Sequence, residues 1–254
     1  MSPKQEWRNS LLISESFSRT PAIKSWIKAG DVLSFESIYL YKLASWMGVY
    51  ARFGMDTALF EGSDVRPTPV KYSIQKISGG SPEVVMQSRL RLTESFSPLT
   101  LKESAGLFAR PITGVEKNLE FRFGFGAREV FADGALMLAD DAGTTDVVEV
   151  KETKSYNQAG GEFASTFWGA LAENKVAYKL GFELMTPLIR DKDKGDDRSA
   201  LEMTNIEFKA ALSFKLVSWA SLDYEFRALK QPQLIEDFQF QNNLLLTLTY
   251  TLFQ

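Results

Sequence analysis

The side chains of this sequence that could do chemistry are charged residues placed at every second position of apolar stretches. In "KVAYKLGFELM", residues 175–185, Lys179 and Glu183 alternate with large apolar side chains. The same arrangement recurs further along the chain, at Glu207, Lys209, Glu225 and Arg227. Facing carboxylates could serve as a general acid and base. Carboxylates interleaved with lysine and arginine more often form ion pairs, so the pattern favours paired charges over a catalytic site.

Two residue types are absent from the chain. It contains no Cys and no His, which excludes disulfides, thiol catalysis, thiolate metal sites and every Ser-His or Cys-His nucleophile pair. The acidic loop "RDKDKGDD" has interleaved lysines that argue against a cation site. The net charge of -3 gives no support for nucleic-acid binding. We therefore expect a protein that is not an enzyme and that has no cofactor, no metal and no nucleic-acid partner.

The positions of these charges imply strands, because the apolar residues repeat with a period of two from end to end. "NLEFRFGFGAR", residues 118–128, sets Leu119, Phe121, Phe123 and Phe125 against charged residues and glycines. We predict a single all-β domain, residues 1–254, of about twelve antiparallel strands. The predicted strands are 6–18, 31–43, 44–58, 84–97, 99–109, 116–127, 129–139, 160–172, 174–187, 202–216, 219–230 and 238–253.

The predicted connections alternate in length along the chain. The tight ones are Lys42–Ser45, the turn near Pro98, Ala127–Glu129, Glu173–Lys175 and Val217–Ser218. The longer polar ones are 19–30, 59–83, 110–115, 140–159, 188–201 and 231–237. In an up-and-down meander this alternation places all tight turns at one end and all long loops at the other. The glycines of "GFGAR" lie inside a strand with no following helix, so they relieve crowding or bend the sheet rather than bind phosphate.

Alternation alone does not say which face meets water. A soluble lipocalin-like barrel or sandwich would pack the Phe-rich face inside, whereas a transmembrane barrel would turn it toward lipid and its charges toward the lumen. Strand length, loop asymmetry and the long apolar closing strand "LLLTLTYTLFQ" favour the second arrangement, in which closure hides every edge. We therefore predict an antiparallel up-and-down transmembrane β-barrel.

The closing strand, the count of about twelve strands and the phrase "SWASLDYEFRALKQPQLIEDFQFQNNLLLTLTYTLFQ" resemble Gram-negative outer-membrane β-barrels, and in particular an uncharacterised family grouped as a domain of unknown function. The resemblance covers most of the chain. The resemblance implies a bacterial outer-membrane location, with the lipid bilayer, lipopolysaccharide and the insertion machinery as partners. It also implies that the last strand carries the insertion signal, on Leu248, Tyr250, Leu252 and Phe253. The start, "MSPKQEWRNSLL", does not read as a signal peptide, so either the protein is cytosolic or the sequence starts near a mature N-terminus. The barrel prediction favours the second.

Two sets of residues follow from an outward apolar face. The candidates for lining the lumen are Arg52, Arg89, Arg91, Lys102, Glu120, Arg122, Lys179, Glu183, Glu207, Lys209, Asp223, Glu225 and Arg227. The candidates for an aromatic girdle at the membrane interface are Trp7, Tyr39, Tyr41, Tyr178, Tyr224, Phe238 and Tyr250.

The predicted lumen admits two functions. Its charges could pair with each other in a structural barrel. Alternatively, a basic excess at Arg89, Arg91, Arg122 and Lys102 could line a narrow, anion-leaning pore that passes small solutes or ions. Two further hypotheses stay open: an interaction scaffold that uses the loops at 59–83, 140–159 and 188–201, and a soluble lipocalin-like carrier with a Phe-lined cavity.

Overall fold

A computed structural model describes residues 4–21, 23–141, 143–144, 146–192 and 196–248, with only the backbone described at 24, 25, 29 and 236. Fourteen strands and no helix occur in these ranges, so they contain no helix that could cross a membrane. The strands are β1 Gln5–Thr20, β2 Ile23–Lys42, β3 Met47–Thr57, β4 Gly62–Gln75, β5 Glu83–Thr93, β6 Leu99–Ile112, β7 Asn118–Phe131, β8 Leu136–Leu138, β9 Val148–Glu152, β10 Tyr156–Leu171, β11 Val176–Arg190, β12 Asn205–Val217, β13 Ala220–Gln231 and β14 Ile235–Leu248.

Ten of the strands form one antiparallel sheet, called here the large sheet. Its order is β1-β2-β3-β6-β7-β10-β11-β12-β13-β14, which is a meander interrupted twice, after β3 and after β7. Across the described residues β1 and β14 are not paired with each other, so the sheet is open along these two edges. The prediction of an all-β antiparallel fold is confirmed.

The large sheet is strongly curved. Arg52 on β3 and Glu183 on β11 are four strands apart, and in a flat sheet that separation would be about 19 Å, from a strand spacing of about 4.8 Å. Instead, Arg52 Nη1 donates to Glu183 Oε1 at 2.6 Å. Arg8 on β1 reaches Glu120 on β7 in the same way, at 2.9 Å. One face of the sheet therefore closes on itself, and we call it the enclosed face.

The period-two pattern decides which side chains lie on this face. On β7, Arg122 is 7% exposed, whereas Phe123 and Phe125 are 52% and 73% exposed. The outer phenylalanines contact each other across strands, as at Phe123 and Phe163, whose ring centroids are 4.9 Å apart. On β7 the charged residues thus lie inside the curved sheet and the phenylalanines at 123 and 125 lie outside it.

Glycines make the tight curvature possible at the crowded inner face. Gly106 on β6 and Gly124 on β7 are register partners. A Cβ atom at Gly124 would lie 2.2 Å from the carbonyl oxygen of Ala105, and one at Gly106 would lie 2.1 Å from that of Phe123. Any side chain at either position would force these strands apart. The expectation that the glycines of "GFGAR" relieve crowding agrees with this geometry at Gly124.

The other four strands form the small sheet, in the order β5-β4-β9-β8. Strands β4 and β9 run parallel, with Tyr72–Gln75 beside Val148–Lys151, although these segments are far apart in the chain. The core of this sheet is apolar and consists of Tyr72, Ile74, Leu90 and Val150. The two interruptions of the large sheet therefore fold together into one structure with its own core.

The topology corrects the predicted twelve-strand meander in three respects. The predicted loops 59–83 and 140–159 contain β4 and β9, and the predicted strand 84–97 covers all of β5 except Glu83, although β5 belongs to the small sheet. The predicted strand 129–139 is not continuous, because β7 ends at Phe131 and β8 belongs to the small sheet. The turn near Pro98 therefore joins strands of different sheets rather than two barrel neighbours.

Three predicted boundaries are also wrong. Residues 127–129 are not a turn, because β7 continues through them to Phe131. Most of the predicted loop 19–30 belongs to β2, and most of the predicted loop 231–237 belongs to the strands beside it. In each case the strand continues past a local break in alternation because its partner strand supplies backbone hydrogen bonds there.

Candidate functional site: the charged interior

Arg52 is the centre of the first group of charges on the enclosed face. Its guanidinium donates to Glu36 at 2.7 Å and to Glu183 at 2.6 Å, and it lies 3.6 Å from a carboxylate oxygen of Glu162. Glu162 also accepts a hydrogen bond from Ser104 Oγ at 2.9 Å. A single arginine therefore holds carboxylates from three different strands, which requires the curvature of the sheet.

Glu120 is the centre of a second group, nearer the tight-turn end of the large sheet, which carries the turns 43–46, 113–117, 172–175 and 218–219. The predicted long loop 110–115 therefore lies at this end and not at the opposite one, because β6 continues to Ile112. Glu120 accepts hydrogen bonds from Arg8 at 2.9 Å and from Arg110 at 2.7 Å. Arg110 also donates to Glu6 at 3.0 Å. This group joins β1 to β6 and β7, so paired charges help to hold the first edge strand against the middle of the sheet.

Glu207 is the centre of a third group, on β12. Arg227 Nε donates to it at 2.7 Å, and the ammonium groups of Lys209 and Lys102 lie 3.0 Å and 3.7 Å away. Lys102 is also paired with Asp56 at 2.8 Å. Ion pairs thus reach from β3 and β6 across the interior to β12 and β13.

Apolar side chains fill the enclosed face beside these charges. Ile38, Leu40, Tyr50 and Phe108, from β2, β3 and β6, form a buried cluster close to the tight turns. At the opposite end Val130, Ala132, Ala135 and Tyr156 pack together with Leu234. Because Leu234 lies in the turn between β13 and β14, this contact brings that turn over the ends of β7 and β10.

The loop between β11 and β12 is fixed by charges of its own. Asp196 accepts hydrogen bonds from Arg190 at 2.5 Å and Arg198 at 2.8 Å, and Arg198 also donates to the carbonyl oxygen of Pro232. The hydrogen bonds from Arg198 and Arg190 hold the pKa of Asp196 well below its ordinary value. The described part of this loop is therefore tied to the turn that precedes β14.

The structure brings most of the predicted lumen residues together. Those on the enclosed face with ion-pair partners there are Arg52, Lys102, Glu120, Arg122, Glu183, Glu207, Lys209 and Arg227. Asp223 accepts hydrogen bonds from Ser213, Ser221 and Thr247. Lys179 on β11 and Glu225 on β13 are exposed.

Arg89 and Arg91 lie elsewhere. Both belong to β5 of the small sheet, both are more than half exposed, and they are paired with Glu61 and Glu94. Their assignment to the lumen is corrected because alternation alone does not reveal which sheet a strand joins. Their loss also removes two of the four residues on which the predicted basic excess rested.

Several residues of the interior are missing from the predicted set. Glu6, Arg8, Glu36, Arg110 and Glu162 all bond to members of the three groups. Glu36 could have been found from the alternation in "FESIYLY", because it lies on the same face of the strand as Ile38 and Leu40, which are buried in the structure. The others lie near strand ends or beside glycines, where the alternating pattern is weak.

The described girdle candidates lie on the large sheet. Trp7 and Tyr39 are exposed register partners on β1 and β2, and Trp7 Nε1 donates to Ser37 at 2.8 Å. Tyr41 and Tyr178 are partly exposed, and Tyr224 and Phe238 are exposed. Tyr250, Leu252 and Phe253 lie outside the described residues, and Leu248, the last described position, is exposed.

Comparisons with known proteins assign no family to the chain. No family model, no curated protein sequence and no solved structure matches it.

The described residues contain no group of three acidic side chains placed to hold a metal ion. A shallow cavity of about 280 Å³ lies in the small sheet, with Ile74, Leu92 and Leu136 among its lining residues.

Proposed function

We propose that the chain is an integral outer-membrane β-barrel whose interior is closed by paired charges, a structural barrel rather than an open pore. The observation that carries this proposal is the alternation on β7, where buried Arg122 is followed by exposed Phe123 and Phe125. In water this arrangement would be costly, because it leaves large aromatic rings hydrated and removes ions from solvent. In a bilayer the same rings face lipid.

The two open edges support closure into a barrel. Ten strands is an even number, so β1 and β14 run antiparallel and can pair as the other neighbours do. Both edge strands also expose side chains on both faces, as at Leu11 and Leu12 on β1 and at Leu244 and Leu245 on β14. Pairing of these edges would satisfy the free backbone groups, which a lipid environment requires.

The outer aromatic residues support a membrane interface at the tight turns. Trp7, Trp46 and Trp219 are all exposed and all lie in or next to the tight-turn end. An indole ring with one polar atom is favoured at headgroup level. The outer-membrane location, with lipopolysaccharide and the insertion machinery as partners, follows from the resemblance of the sequence to such barrels.

The charges of the interior favour a closed barrel over a pore. A conducting lumen needs charged side chains that line the pore, stay hydrated and remain free to contact a passing ion. Here Arg52, Glu120 and Glu207 each contact two or more groups of opposite charge. Because these contacts cross the interior between strands four apart, they occupy the space that a solute would need.

The test is electrical. The full chain, refolded in detergent and shown to migrate differently before and after boiling, is added to planar bilayers under a salt gradient. We expect insertion without stable conductance steps. The double variant Arg52→Ala with Glu183→Ala should admit ions, whereas the exposed control Arg91→Ala should stay silent. Stable, ion-selective steps from the unaltered protein would overturn the closed barrel in favour of the pore.

A separate assay tests the membrane itself. A soluble lipocalin-like carrier would remain monodisperse when detergent is removed, and its Phe-rich face would have to line a cavity. Because Phe123 and Phe125 lie on the outer face, we expect aggregation without detergent. A monodisperse, folded chain in plain buffer would reject the barrel and support the carrier.

The small sheet favours a second candidate function, that of an interaction scaffold. It is built from the two longest connections of the large sheet and has its own apolar core. Loops that only link strands do not need such a core. Replacing residues 62–93 and 136–152 by short Gly-Ser linkers should abolish partner binding while leaving a heat-modifiable barrel.

A further inference from the structure

Arg128 is a buried cation without a buried countercharge in contact. It lies on the enclosed face of β7 and is 4% exposed. Its Nη1 donates to the amide oxygen of Asn205 at 3.2 Å, and Asn205 is neutral. Within the described part of the chain no carboxylate forms an ion pair with Arg128, in contrast to Arg52 on the same face. A buried guanidinium needs a compensating negative charge.

The groups around Arg128 offer further polar atoms without protein partners. Gln158 on β10 is its direct register partner, and Tyr156 lies two residues away on the same face. Among the described residues, Arg128 Nε, both amide atoms of Gln158 and the Tyr156 hydroxyl are buried with no hydrogen-bond partner. Three of these atoms can donate, and the amide can rotate to present its NH₂ group.

The wider surroundings add positive charge. Lys102 is the register partner of Arg128 on the other side, on β6. Lys102 is itself paired with Asp56 at 2.8 Å and lies 3.7 Å from Glu207. Glu207 also contacts Lys209 and Arg227, so both carboxylates are engaged by cations other than Arg128. Arg128 therefore has a second cation beside it, and among the described residues no carboxylate is paired with it.

We propose that Arg128, Gln158 and Tyr156 bind a small inorganic anion of about the size of chloride inside the large sheet. The anion would accept hydrogen bonds from Arg128 Nε, the Gln158 amide and the Tyr156 hydroxyl, and it would supply the negative charge that the described residues do not place there. This site is distinct from the three ion-paired groups, whose cations are paired with carboxylates. It does not depend on whether the outer face meets lipid.

The experiment compares anions at constant ionic strength on the full chain refolded in detergent. Unfolding midpoints are measured as sodium gluconate, whose anion is too large for the interior, is replaced stepwise by sodium chloride. We expect the midpoint of the unaltered protein to rise with chloride. In Arg128→Met the anion affinity should fall about tenfold or more, which corresponds to the loss of one charge-assisted hydrogen bond. The control Arg91→Met removes an exposed arginine and should keep the full chloride response.

A structural role of Arg128 gives a different result. If Arg128 only holds Asn205, Arg128→Met is less stable in both salts and the unaltered protein shows no chloride response, which overturns the proposal. If Arg128→Met does not fold, the same measurement is made on Tyr156→Phe and on Gln158→Leu. In each of them we expect the unfolding midpoint to rise less with chloride than in the unaltered protein. Diffraction from crystals that contain bromide provides a direct check. An anomalous signal from bromide within hydrogen-bond distance of Arg128 Nε supports the site. Bromide distributed only over surface lysines contradicts it.

Discussion

Glu207 in the large sheet and Val150 in the small sheet are both almost inaccessible to solvent, yet they are opposite kinds of side chain. Glu207 is surrounded by Arg227, Lys209 and Lys102, whereas Val150 packs against apolar residues such as Tyr72. The small sheet follows the usual rule of soluble proteins, with its apolar side chains inside. The large sheet instead buries charged groups beside its apolar clusters and exposes many large apolar side chains. In the proposed barrel the two sheets meet different solvents, so each should respond differently to the same kind of substitution.

The largest expected effect comes from breaking the interior at its most connected residue. Arg52→Ala would leave Glu36, Glu162 and Glu183 close together without their shared cation. We expect a loss of about 3–5 kcal/mol in the free energy of unfolding, because carboxylates would remain buried and unpaired. Urea unfolding of the chain in lipid vesicles measures it.

The matched control for this variant replaces both partners. Arg52→Met combined with Glu183→Met removes one cation and one carboxylate together, so we expect it to recover most of the lost stability. A double variant as unstable as Arg52→Ala would show that the stability is lost through poorer packing. The ion pairs would then not be the interactions that stabilise the interior.

The second prediction separates lipid from water at the outer face. Phe125 on β7 and Val84 on β5 are both largely exposed apolar residues. Phe125→Lys should cost about 2–4 kcal/mol in a bilayer, because it places an ammonium group near the middle of the lipid-facing strand. Val84→Lys should change stability by less than about 0.5 kcal/mol, as surface substitutions in water do. Equal, small effects at both positions would mean that the outer face of the large sheet meets water.

The features that the sequence predicts are those that depend on neighbouring residues. Alternation correctly identifies most strands of the large sheet and places Arg52, Glu120 and Glu183 on the face opposite the exposed apolar side chains, because the period of two is a local property of an extended backbone. It cannot reveal the parallel pair β4–β9, since that pairing joins segments far apart in the chain. The prolines at 67 and 69 added to this error, because they read as loop. In the structure they lie at a register shift between Val65 and Val70, where a ladder hydrogen bond is not needed.

Partner choice across the interior is equally absent from the local pattern. The contact between Arg52 and Glu183 depends on how tightly the sheet curves, which in turn depends on close approaches such as Gly106 beside Gly124. The sequence therefore predicted that the interior charges form ion pairs, but it did not predict which residues pair with each other. For the same reason Arg89 and Arg91 could not be separated from true interior residues before the small sheet was seen.

The third prediction concerns the core of the small sheet. Val150→Ala removes two methyl groups from a fully buried position and should cost about 2 kcal/mol, from about 0.8 kcal/mol for each buried carbon plus the cavity left behind. Hydrogen exchange should increase at the amides of β4 and β9 and stay unchanged in β7 and β10. Faster exchange throughout both sheets would show that they unfold as one unit and that the small sheet has no independent stability.

The prediction with the smallest effect near neutral pH concerns Tyr72, whose hydroxyl titrates only at high pH. Its hydroxyl donates to Asp64 Oδ2 at 2.9 Å, and Arg66 donates to the same oxygen at 2.7 Å. Burial, together with the hydrogen bond to Asp64, raises the pKa of Tyr72 to about 12. An unfolded tyrosine ionises near pH 10, so the stability contributed by neutral Tyr72 is complete below pH 10 and is lost as the pH rises from about 10 through about 12.

Absorbance at 295 nm measures this titration directly, as the difference between the unaltered protein and Tyr72→Phe. We expect a midpoint near 12 for this difference, above the ordinary range of the tyrosines that stay exposed. A midpoint near 10 would mean that the hydroxyl meets water and that the small sheet is loosely packed. Because Tyr72 lies in the small sheet, the result should be the same in detergent and in lipid vesicles. By contrast, the cost of Phe125→Lys should grow as lipid replaces detergent, since in the proposed barrel only the large sheet faces an apolar solvent.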